Sequence, residues 1–397
     1  MVKYVYPKVA SPSGYGSGFE NRRGNPSQVR VLSLPHMPEL LKNMLNYNSL
    51  SEFALAIKSV YSSFAVEEFL ASVMDKTWDS LELKARGRQI TINLGRYLPA
   101  DYKEAIGVLD KVAPIYKGWG LFCFPDFVEV FGQDEKNWDI SVNALERYTP
   151  YASAEWAVRP FIIKHEKRMM DRVYEWSKHK NEHVRRLSSE GCRPALPWSI
   201  ALTKFKKDPS PILPILERLK TDPSLYVRRS VANNLNDISK THPDLMIKIA
   251  RDWYGKNEDT NWIVKHGCRT LLKKGNREVL AIFGYDDVTS IEVSDFSLAT
   301  TALKIGEDTT FAFSIQAKEP TEARLEYGID YVKSKGKRNR KIFQISEITL
   351  EKNEKKHYRR KLSFKDMSTR KHYSGMHSIG LIVNGVERGK LDFELEK

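Results

Sequence analysis

Apolar residues recur at helical spacing through most of the first 284 residues, and three of these helices begin with a similar basic motif. The motif starts at His183, Tyr226 and Trp262, so its copies are 43 (226 minus 183) and 36 (262 minus 226) residues apart. Helical repeats of the HEAT and armadillo type have periods of roughly 40–47 residues. After the second motif, four apolar residues lie at i, i+4, i+8 and i+11 and share one helix face: Val227, Val231, Leu235 and Ile238.

The opposite face of each motif helix is polar and mostly basic. We expect this face to contact a polyanion, because cations recur there in successive repeats. The predicted contacts are Arg185, Arg186, Arg228, Arg229, Asn233, Trp262 and Lys265. The alternative for Arg185 and Arg228 is a position between helices, which leaves Arg186 and Arg229 as the safer pair. The alternative for Trp262 is a packing role.

Helical pairs without the clear motif precede this region. They are predicted over 67–76 with 83–97, 102–113 with 125–132, and 138–148 with 154–165. Residues 1–28, rich in Gly, Ser and Pro, are predicted to be a disordered tail. Prolines at 194, 197 and 209 predict a loop or insertion over 194–210. The sequence thus predicts an α-helical solenoid of HEAT-like repeats over residues 29–284, since no single pair can bury its own apolar face.

The periodicity changes from helical to alternating near residue 285. Seven short strands are predicted over 290–298, 309–317, 323–331, 341–350, 358–364, 377–383 and 390–395. Asn384-Gly385 is a strong hairpin signal between the last two. Residues 288–397 therefore predict a smaller all-β sandwich of immunoglobulin type, without a disulfide because this segment holds no Cys.

Charge narrows the class of partner. The 64 Lys and Arg exceed the 50 Asp and Glu by 14, and the pI is about 9.4. This excess favours a nucleic acid or a membrane surface. The chain has neither a span of roughly 20 apolar residues nor a signal-peptide core, so we expect no membrane association. Its three Cys are far apart, which favours buried thiols in the cytoplasm, here of bacterial type and near the nucleoid.

Part of the positive charge is concentrated in the β region. From Tyr331 to Lys371, 15 Lys or Arg stand against 4 acids, a net charge of +11. Such segregation favours phosphate contact, for which we single out Lys337, Arg338 and Arg340. The alternative is a solvated edge strand whose lysines prevent aggregation.

No phosphate-binding loop, dinucleotide fingerprint, metal-ligand spacing or nucleophile elbow is present in the sequence. Any catalysis must therefore depend on carboxylates, aromatic rings and cations, without a metal or cofactor. Acids precede aromatics at Asp126-Phe127 and Glu155-Trp156. Glu155 also lies at i, i+4 from Arg159, so an intrahelical ion pair is the structural alternative.

Three ordered stretches carry a family resemblance: AEWAVRPF (154–161), HVRRLSSEGCRP (183–194) and VRRSVANNLNDI (227–238). Together they resemble the DNA alkylation-repair glycosylases of the AlkC/AlkD superfamily, most closely the AlkC branch that carries an immunoglobulin-like domain. The resemblance covers about residues 30–284.

The resemblance implies base excision from double-stranded DNA, chiefly of 3-methyladenine, by a monomer. An N3-alkylated purine is cationic and leaves without protonation, so the enzyme need only stabilise an oxocarbenium-like sugar and position a water. It implies Asp126, Glu155 and Arg159 as catalytic residues, and Phe127 and Trp156 as DNA contacts. The family pattern also leads us to expect an acid where Ile163 stands, so Glu166 and Glu190 are further candidates.

Two other functions share parts of the pattern. A HEAT-type DNA-binding scaffold without catalysis would have the same basic features but would need no carboxylates. A protein-interaction solenoid should instead present an apolar or acidic groove.

Overall fold

The computed structural model describes residues 42–367 and 371–397, so the predicted tail lies outside the described residues. Within these ranges the chain forms sixteen α-helices followed by eight β-strands. The helices are α1 (Tyr47–Val60), α2 (Val66–Val73), α3 (Leu83–Tyr97), α4 (Tyr102–Val112), α5 (Cys123–Phe131), α6 (Trp138–Tyr148), α7 (Val158–Lys164), α8 (Glu166–Trp176), α9 (Glu182–Gly191), α10 (Thr203–Lys207), α11 (Leu213–Leu219), α12 (Leu225–Thr241), α13 (Pro243–Trp253), α14 (Glu258–Gly267), α15 (Arg269–Lys273) and α16 (Arg277–Ile282).

Two of the motif helices begin after an asparagine whose side chain caps the first turn. Asn181 caps α9 by accepting a hydrogen bond from the His183 backbone N–H at 2.8 Å, and Asn257 caps α14 through Thr260 at 2.9 Å. The predicted apolar stripe of α12 is fully buried. Burial of such stripes between neighbouring helices stabilises the array, because one helix alone is marginal in water.

One predicted helix starts later than expected. The helix predicted over 154–165 is α7, which begins at Val158, so Glu155 and Trp156 lie in the preceding turn. Pro160 explains the difference. It has no N–H to donate and is tolerated only in the first helical turn. The predicted loop over 194–210 contains the short helix α10, which leaves an irregular segment of residues 192–202.

The strands form two antiparallel-rich sheets, with order β1-β3-β6 and β2-β8-β7-β4-β5. Their bounds are β1 (Ile291–Leu298), β2 (Ala302–Lys304), β3 (Asp308–Ala317), β4 (Thr321–Val332), β5 (Arg338–Leu350), β6 (Lys355–Ser363), β7 (Gly375–Val383) and β8 (Val386–Glu396). The strand that the alternation pattern missed is β2, which has three residues and pairs in parallel with β8. Asn384 and Gly385 both have positive φ, as a type I′ hairpin turn requires.

The core of the sandwich is formed by inward-facing side chains of both sheets, among them Phe311, Leu325 and Phe393. The fold is therefore a helical-repeat region followed by an immunoglobulin-like β domain, as predicted. The chain divides into two compact units, one up to Asp237 and one from Ile238 onward, so the last helices share a unit with the strands.

The three Cys are buried and free. In the part of the chain that the structure describes, no helix has the length and apolar character to cross a bilayer.

Candidate active site

Three carboxylates and two arginines form an ion-pair network on the segments around α7, α9 and α12. Arg186 binds Glu155 and also approaches Glu190, with 3.4 Å between Nη2 and Oε1. Arg193 donates to Glu190 Oε1 at 2.6 Å through Nη1 and to Asp237 Oδ2 at 2.9 Å through Nε. The network therefore joins three acids through two shared cations.

The acids differ in how far they reach solvent. The side chain of Glu155 is 18% exposed, whereas those of Glu190 and Asp237 are 6% and 1% exposed. Burial opposes the charged form of Glu190, but Arg186 and Arg193 outweigh it and hold the pKa of this carboxyl below its ordinary value. Glu190 is therefore an anion at neutral pH. Glu155 is the member of the network that an outside molecule can reach most easily.

Small residues bring these segments together. Gly191 allows α9 to approach α7, because a Cβ at this position would lie 2.7 Å from a methyl carbon of Val158. Ser189 donates to the hydroxyl of Ser230 at 2.7 Å and so ties α9 to α12 inside the protein. These close contacts place the turn that carries Glu155 against Arg186.

An aromatic pair lies beside the network. Trp156 follows Glu155, and its ring centroid is 6.4 Å from that of Trp198, which is 47% exposed. Lys84 lies 4.4 Å from the centroid of Trp156 and donates to the carbonyl of Trp198 at 2.6 Å. Trp198 has φ +61°, an unfavourable conformation for a bulky residue. Such strain favours a positional role for Trp198. The sequence patterns did not point to Trp198, although a loop position directly after Pro197 is an unusual place for a tryptophan.

Arg159 holds this loop in place and does not reach the surface. Its guanidinium is fully buried and donates to the carbonyls of Ile200 (2.6 Å), Gly191 (2.9 Å) and Arg193 (2.8 Å). Burial lowers its pKa to about 10, so it remains charged at neutral pH. The prediction of Arg159 as a catalytic residue is wrong, because every one of these contacts is to the backbone. It does not pair with Glu155 either, since Glu155 binds Arg186.

The first arginine of each Val-Arg-Arg motif is also structural. Arg185 forms a two-pronged ion pair with Asp222 at 2.6 and 3.1 Å and donates to two backbone carbonyls. Arg228 donates to the carbonyls of Asp222 and Pro223 at 2.7 and 3.0 Å. Neither is available as a phosphate contact without breaking these bonds. Arg229, by contrast, is exposed, and its side chain binds no described residue.

Asp126 and Phe127 do not join the network. Asp126 accepts from Arg88 at 2.8 Å, and Arg88 also binds Glu129 at 2.7 Å, so they form a separate ion-pair group. Phe127 is 2% exposed and stacks on Tyr102 with ring centroids 6.3 Å apart. Its prediction as a DNA contact is wrong, since its position in α5 faces the core.

The remaining predicted contacts of the repeats differ in accessibility. Asn233 is half-buried. Trp262 is 37% exposed and stacks on His266 at 5.1 Å. Lys265 donates to the Tyr285 hydroxyl at 2.9 Å and pairs with Glu347 of β5 at 2.6 Å. Lys265 thus contacts the β-sandwich, which contradicts its prediction as a phosphate contact.

Some cations in the basic stretch of the sandwich are already bound to other side chains of the protein. Arg340 pairs with Glu387 and lies 3.9 Å from Asp330, and Arg338 donates to the Ser378 hydroxyl at 3.1 Å. Lys337, at the exposed turn between β4 and β5, makes no side-chain contact among the described residues. Only some cations of this stretch are therefore available to a polyanion.

Comparison with known proteins defines the class. The sequence pattern described as "DNA alkylation repair enzyme" matches residues 133–278, and that of the C-terminal Ig-like domain of protein YhaZ matches residues 292–397. The protein YhaZ of Bacillus subtilis (strain 168) is 46% identical over 355 residues, which cover 89% of this chain and 99% of that protein. This chain belongs to the DNA alkylation repair enzyme family, in the branch with the YhaZ-type Ig-like domain.

A solved structure agrees with this assignment over nearly the whole chain. The alkylpurine DNA glycosylase AlkC of Pseudomonas fluorescens, bound to DNA containing an abasic site analog, superposes with a TM-score of 0.87 at 34% identity. The match covers 90% of this chain and 99% of that one. The predicted resemblance to the AlkC branch is confirmed.

Proposed function

We propose that this protein is a DNA glycosylase that releases cationic alkylated purines, chiefly 3-methyladenine, from double-stranded DNA. The observation that carries the proposal is the network of Glu155, Glu190 and Asp237, with its most accessible carboxylate next to Trp156. A protein that only binds DNA has no use for an accessible carboxylate at this position, because the carboxylate repels phosphate. A protein that stabilises a cationic sugar needs one.

The chemistry divides between the accessible acid and the buried ones. Glu155 stabilises positive charge that develops on the deoxyribose as the base leaves, and it orients the attacking water. Glu190 and Asp237 keep Arg186 and Arg193 in place. Since N3-alkylation already makes the purine a good leaving group, the site needs no strong general acid. We do not assign Asp126 a part in this step, because its carboxylate accepts a hydrogen bond from Arg88, which also binds Glu129.

Trp156 and Trp198 supply the contact with the distorted duplex. Their rings are large, apolar and held by Lys84 and Arg159, so they can pack against a sugar or an unstacked base without losing much conformational freedom. Bending the duplex costs on the order of 1–6 kcal/mol. Phosphate contacts offset this cost, and Arg229 and Lys337 are predicted contacts whose side chains remain accessible.

The related AlkC complex supports the same assignment, since an abasic site is what base release leaves in DNA. We further propose that the chain acts as a monomer in the compartment that holds the chromosome, without a metal or cofactor. Within the described residues, no group of three potential ligands could hold a metal ion.

The test is release of free base from a duplex containing 3-methyladenine. Glu155→Gln keeps the shape of the side chain and removes its charge, so single-turnover release should slow by roughly 10²–10³. Glu146→Gln is the matched control, because Glu146 also binds an arginine and a tryptophan, Arg172 at 2.9 Å and Trp176 at 2.6 Å, but lies outside the network.

The same experiment tests the alternative of a DNA-binding scaffold. Under that function the wild-type protein would bind the duplex, leave the base in place and behave like both variants. Release of 3-methyladenine at the same rate by wild type and Glu155→Gln would support a glycosylase but overturn the assigned carboxylate.

A further inference from the structure

Helix α3 carries a stripe of exposed residues that the repeat motif did not reveal. Four residues lie at successive i, i+4 positions, so they follow one another along the helix surface in a row that turns by about 120° from the first residue to the last. They are Lys84, Arg88, Ile92 and Arg96. Lys84, Ile92 and Arg96 are exposed, and the side chain of Arg88 is 43% exposed. The stripe combines three cations with one apolar residue.

The helix that carries this stripe is held firmly against its neighbours. Gly95 allows α5 to pack closely, because a Cβ there would lie 2.2 Å from the ring of Phe131. Near the other end, buried Arg86 donates to the carbonyls of Lys42 and Leu45 at 2.8 and 3.2 Å. The side chains of the stripe therefore project from a rigid support, as precise recognition requires.

One end of the stripe adjoins the candidate active site. Lys84 lies over the ring of Trp156 and binds the carbonyl of Trp198. From there Arg88, Ile92 and Arg96 lead away along α3. An extended molecule that reaches Glu155 can therefore continue directly along this surface.

The charge of the stripe identifies the occupant. Arg96 donates to Asn93 at 3.1 Å and has no acidic partner among the described residues. Arg88 is paired through one terminal nitrogen with both Asp126 and Glu129, so its charge is already neutralised and it can offer a phosphate only its remaining N–H donors. Ile92 between them suits the apolar face of a deoxyribose. Alternating cations and an apolar group fit a sugar–phosphate backbone better than an acidic peptide.

We propose that this α3 stripe binds the DNA backbone on one side of the lesion, which rests on the function proposed above. Twelve residues of helix from Lys84 to Arg96 span about 18 Å at roughly 1.5 Å per residue. One DNA strand advances about 3.4 Å per nucleotide along the axis. A strand that runs parallel to the helix would thus contact the stripe over at most about five nucleotides, starting at the lesion, and the requirement for flanking DNA would be unequal on the two sides.

The first test combines charge removal with the length of the DNA. Arg96→Gln should weaken binding to a long duplex and lower the slope of log affinity against log salt by about one. Arg88→Gln should change the slope less, because Asp126 and Glu129 already neutralise Arg88. Trimming the duplex to about two nucleotides on one side of the lesion should abolish the effect of Arg96→Gln, whereas trimming the other side should not. Lys103→Gln is the control, because it removes one exposed charge from α4, outside the stripe.

The second test measures position. The native cysteines are buried, and burial raises the pKa of the Cys192 and Cys268 thiols to about 12, so they react poorly with disulfides. Lys84→Cys should therefore cross-link selectively to a duplex with a thiol tether next to the lesion. Arg96→Cys should prefer a tether about five nucleotides away on the same side.

The outcomes separate this inference from the proposed function, because binding and cross-linking use an abasic-analogue duplex and do not require base release. If the wild type releases base but Arg88→Gln and Arg96→Gln bind like Lys103→Gln at every DNA length, the stripe is not a DNA contact. If the wild type releases no base while the one-sided length effect is present, the stripe is supported and the proposed function fails. Cross-linking of Arg96→Cys no better than Lys103→Cys at any tether position also contradicts the inference.

Discussion

The first two copies of the Val-Arg-Arg motif have the same sequence but different surroundings. In both, the first arginine binds the backbone carbonyls five and six residues earlier, Arg185 in one copy and Arg228 in the other. The second arginines differ. Arg186 is held by carboxylates, whereas Arg229 is exposed and binds no described side chain. The first arginine is thus a feature of the repeat fold, and the second is free to acquire a function.

The residue one turn further along explains much of this difference. At i+4 from Arg186 stands Glu190, but at i+4 from Arg229 stands Asn233. The earlier copy also lies against the turn that carries Glu155. A carboxylate on each side converts a potential phosphate contact into part of an ion-pair network. The acids around a recurring arginine thus determine whether it joins an ion-pair network, like Arg186, or stays accessible, like Arg229.

The largest effect is expected for Glu190, a buried acid of the candidate active site. Asp222, a buried acid that supports the repeat fold, provides the comparison. Glu190→Gln removes one of the two carboxylates that hold Arg186, the partner of Glu155, so single-turnover base release should fall by up to the roughly 10²–10³ expected for Glu155→Gln. Asp222→Asn is the matched change, since Asp222 is equally buried and paired with Arg185. It should lower stability but leave the rate of the folded enzyme close to wild type. Equal rates in the two variants would place Glu190 outside the site.

The next largest effects are expected when the first or the second arginine of the Val-Arg-Arg motif is replaced. Arg185→Ala leaves the buried carboxylate of Asp222 without its ion-pair partner, so the free energy of unfolding should fall by about 3 kcal/mol, the lower end for a broken buried pair. Arg229→Ala should leave that free energy nearly unchanged and reduce the salt slope of DNA binding by about one. Urea unfolding and binding at several salt concentrations measure both quantities. A reduced salt slope with Arg185→Ala would show that its structural contacts open when DNA binds.

The sequence predicted the fold well because the fold depends on periodicity. The buried stripe of α12, the alternation in the strands and the Asn384-Gly385 turn all follow from local spacing. The missed strand β2 has three residues, too few to show a period. The late start of α7 depends on Pro160, whose effect on the first turn can be recognised from the sequence.

The site was predicted less well because it depends on contacts between distant segments. Glu155 and Trp156 were found from the family resemblance, and Glu190 was a further candidate. Asp237 and Trp198 could not be assigned to the site, since only the packing of α7, α9 and α12 and the clamp by Arg159 bring them near. Arg159 itself was misplaced because a sequence does not show whether an arginine faces a carbonyl or solvent.

A smaller effect is expected in the β-sandwich, where lysines without a described acidic partner can be compared with an arginine that is paired with an acid. Lys333, Lys335 and Lys337 surround the turn between β4 and β5, and no described acid pairs with them. Replacing all three with Gln should lower the salt slope by up to about three. Arg340→Gln should change it little, because Glu387 already neutralises this residue. These point variants are preferable to deleting the domain, since deletion would leave Lys265 and Tyr285 without Glu347.

If the lysine variant binds DNA like the wild type at every salt concentration, the turn serves solubility and the charge of the sandwich is unrelated to DNA. If Arg340→Gln lowers the slope as much as the lysines do, its ion pair with Glu387 exchanges for phosphate on binding. Either result would change which cations of the second unit count as accessible.

The smallest effect is expected from pH. Arg186 and Arg193 hold the pKa of Glu190 below its ordinary value, and burial lowers the pKa of His183, the histidine that begins the first motif. Glu190 therefore stays ionised to a lower pH than an ordinary glutamate, and His183 takes up a proton only at a lower pH than an ordinary histidine. Because the folded pKa of Glu190 is depressed, its contribution to stability is complete above its unfolded pKa and is lost only as the pH falls through the folded value.

A cationic base also leaves without taking a proton from the enzyme. Single-turnover release of 3-methyladenine at constant ionic strength should consequently vary by less than about threefold between pH 5.5 and 8, without the bell shape of acid–base catalysis. Glu155→Gln should lower the whole profile without changing its form. An acidic limb of unit slope in the wild type would instead show that a titrating group takes part. Loss of that limb in His183→Asn would identify the group as the histidine of the motif.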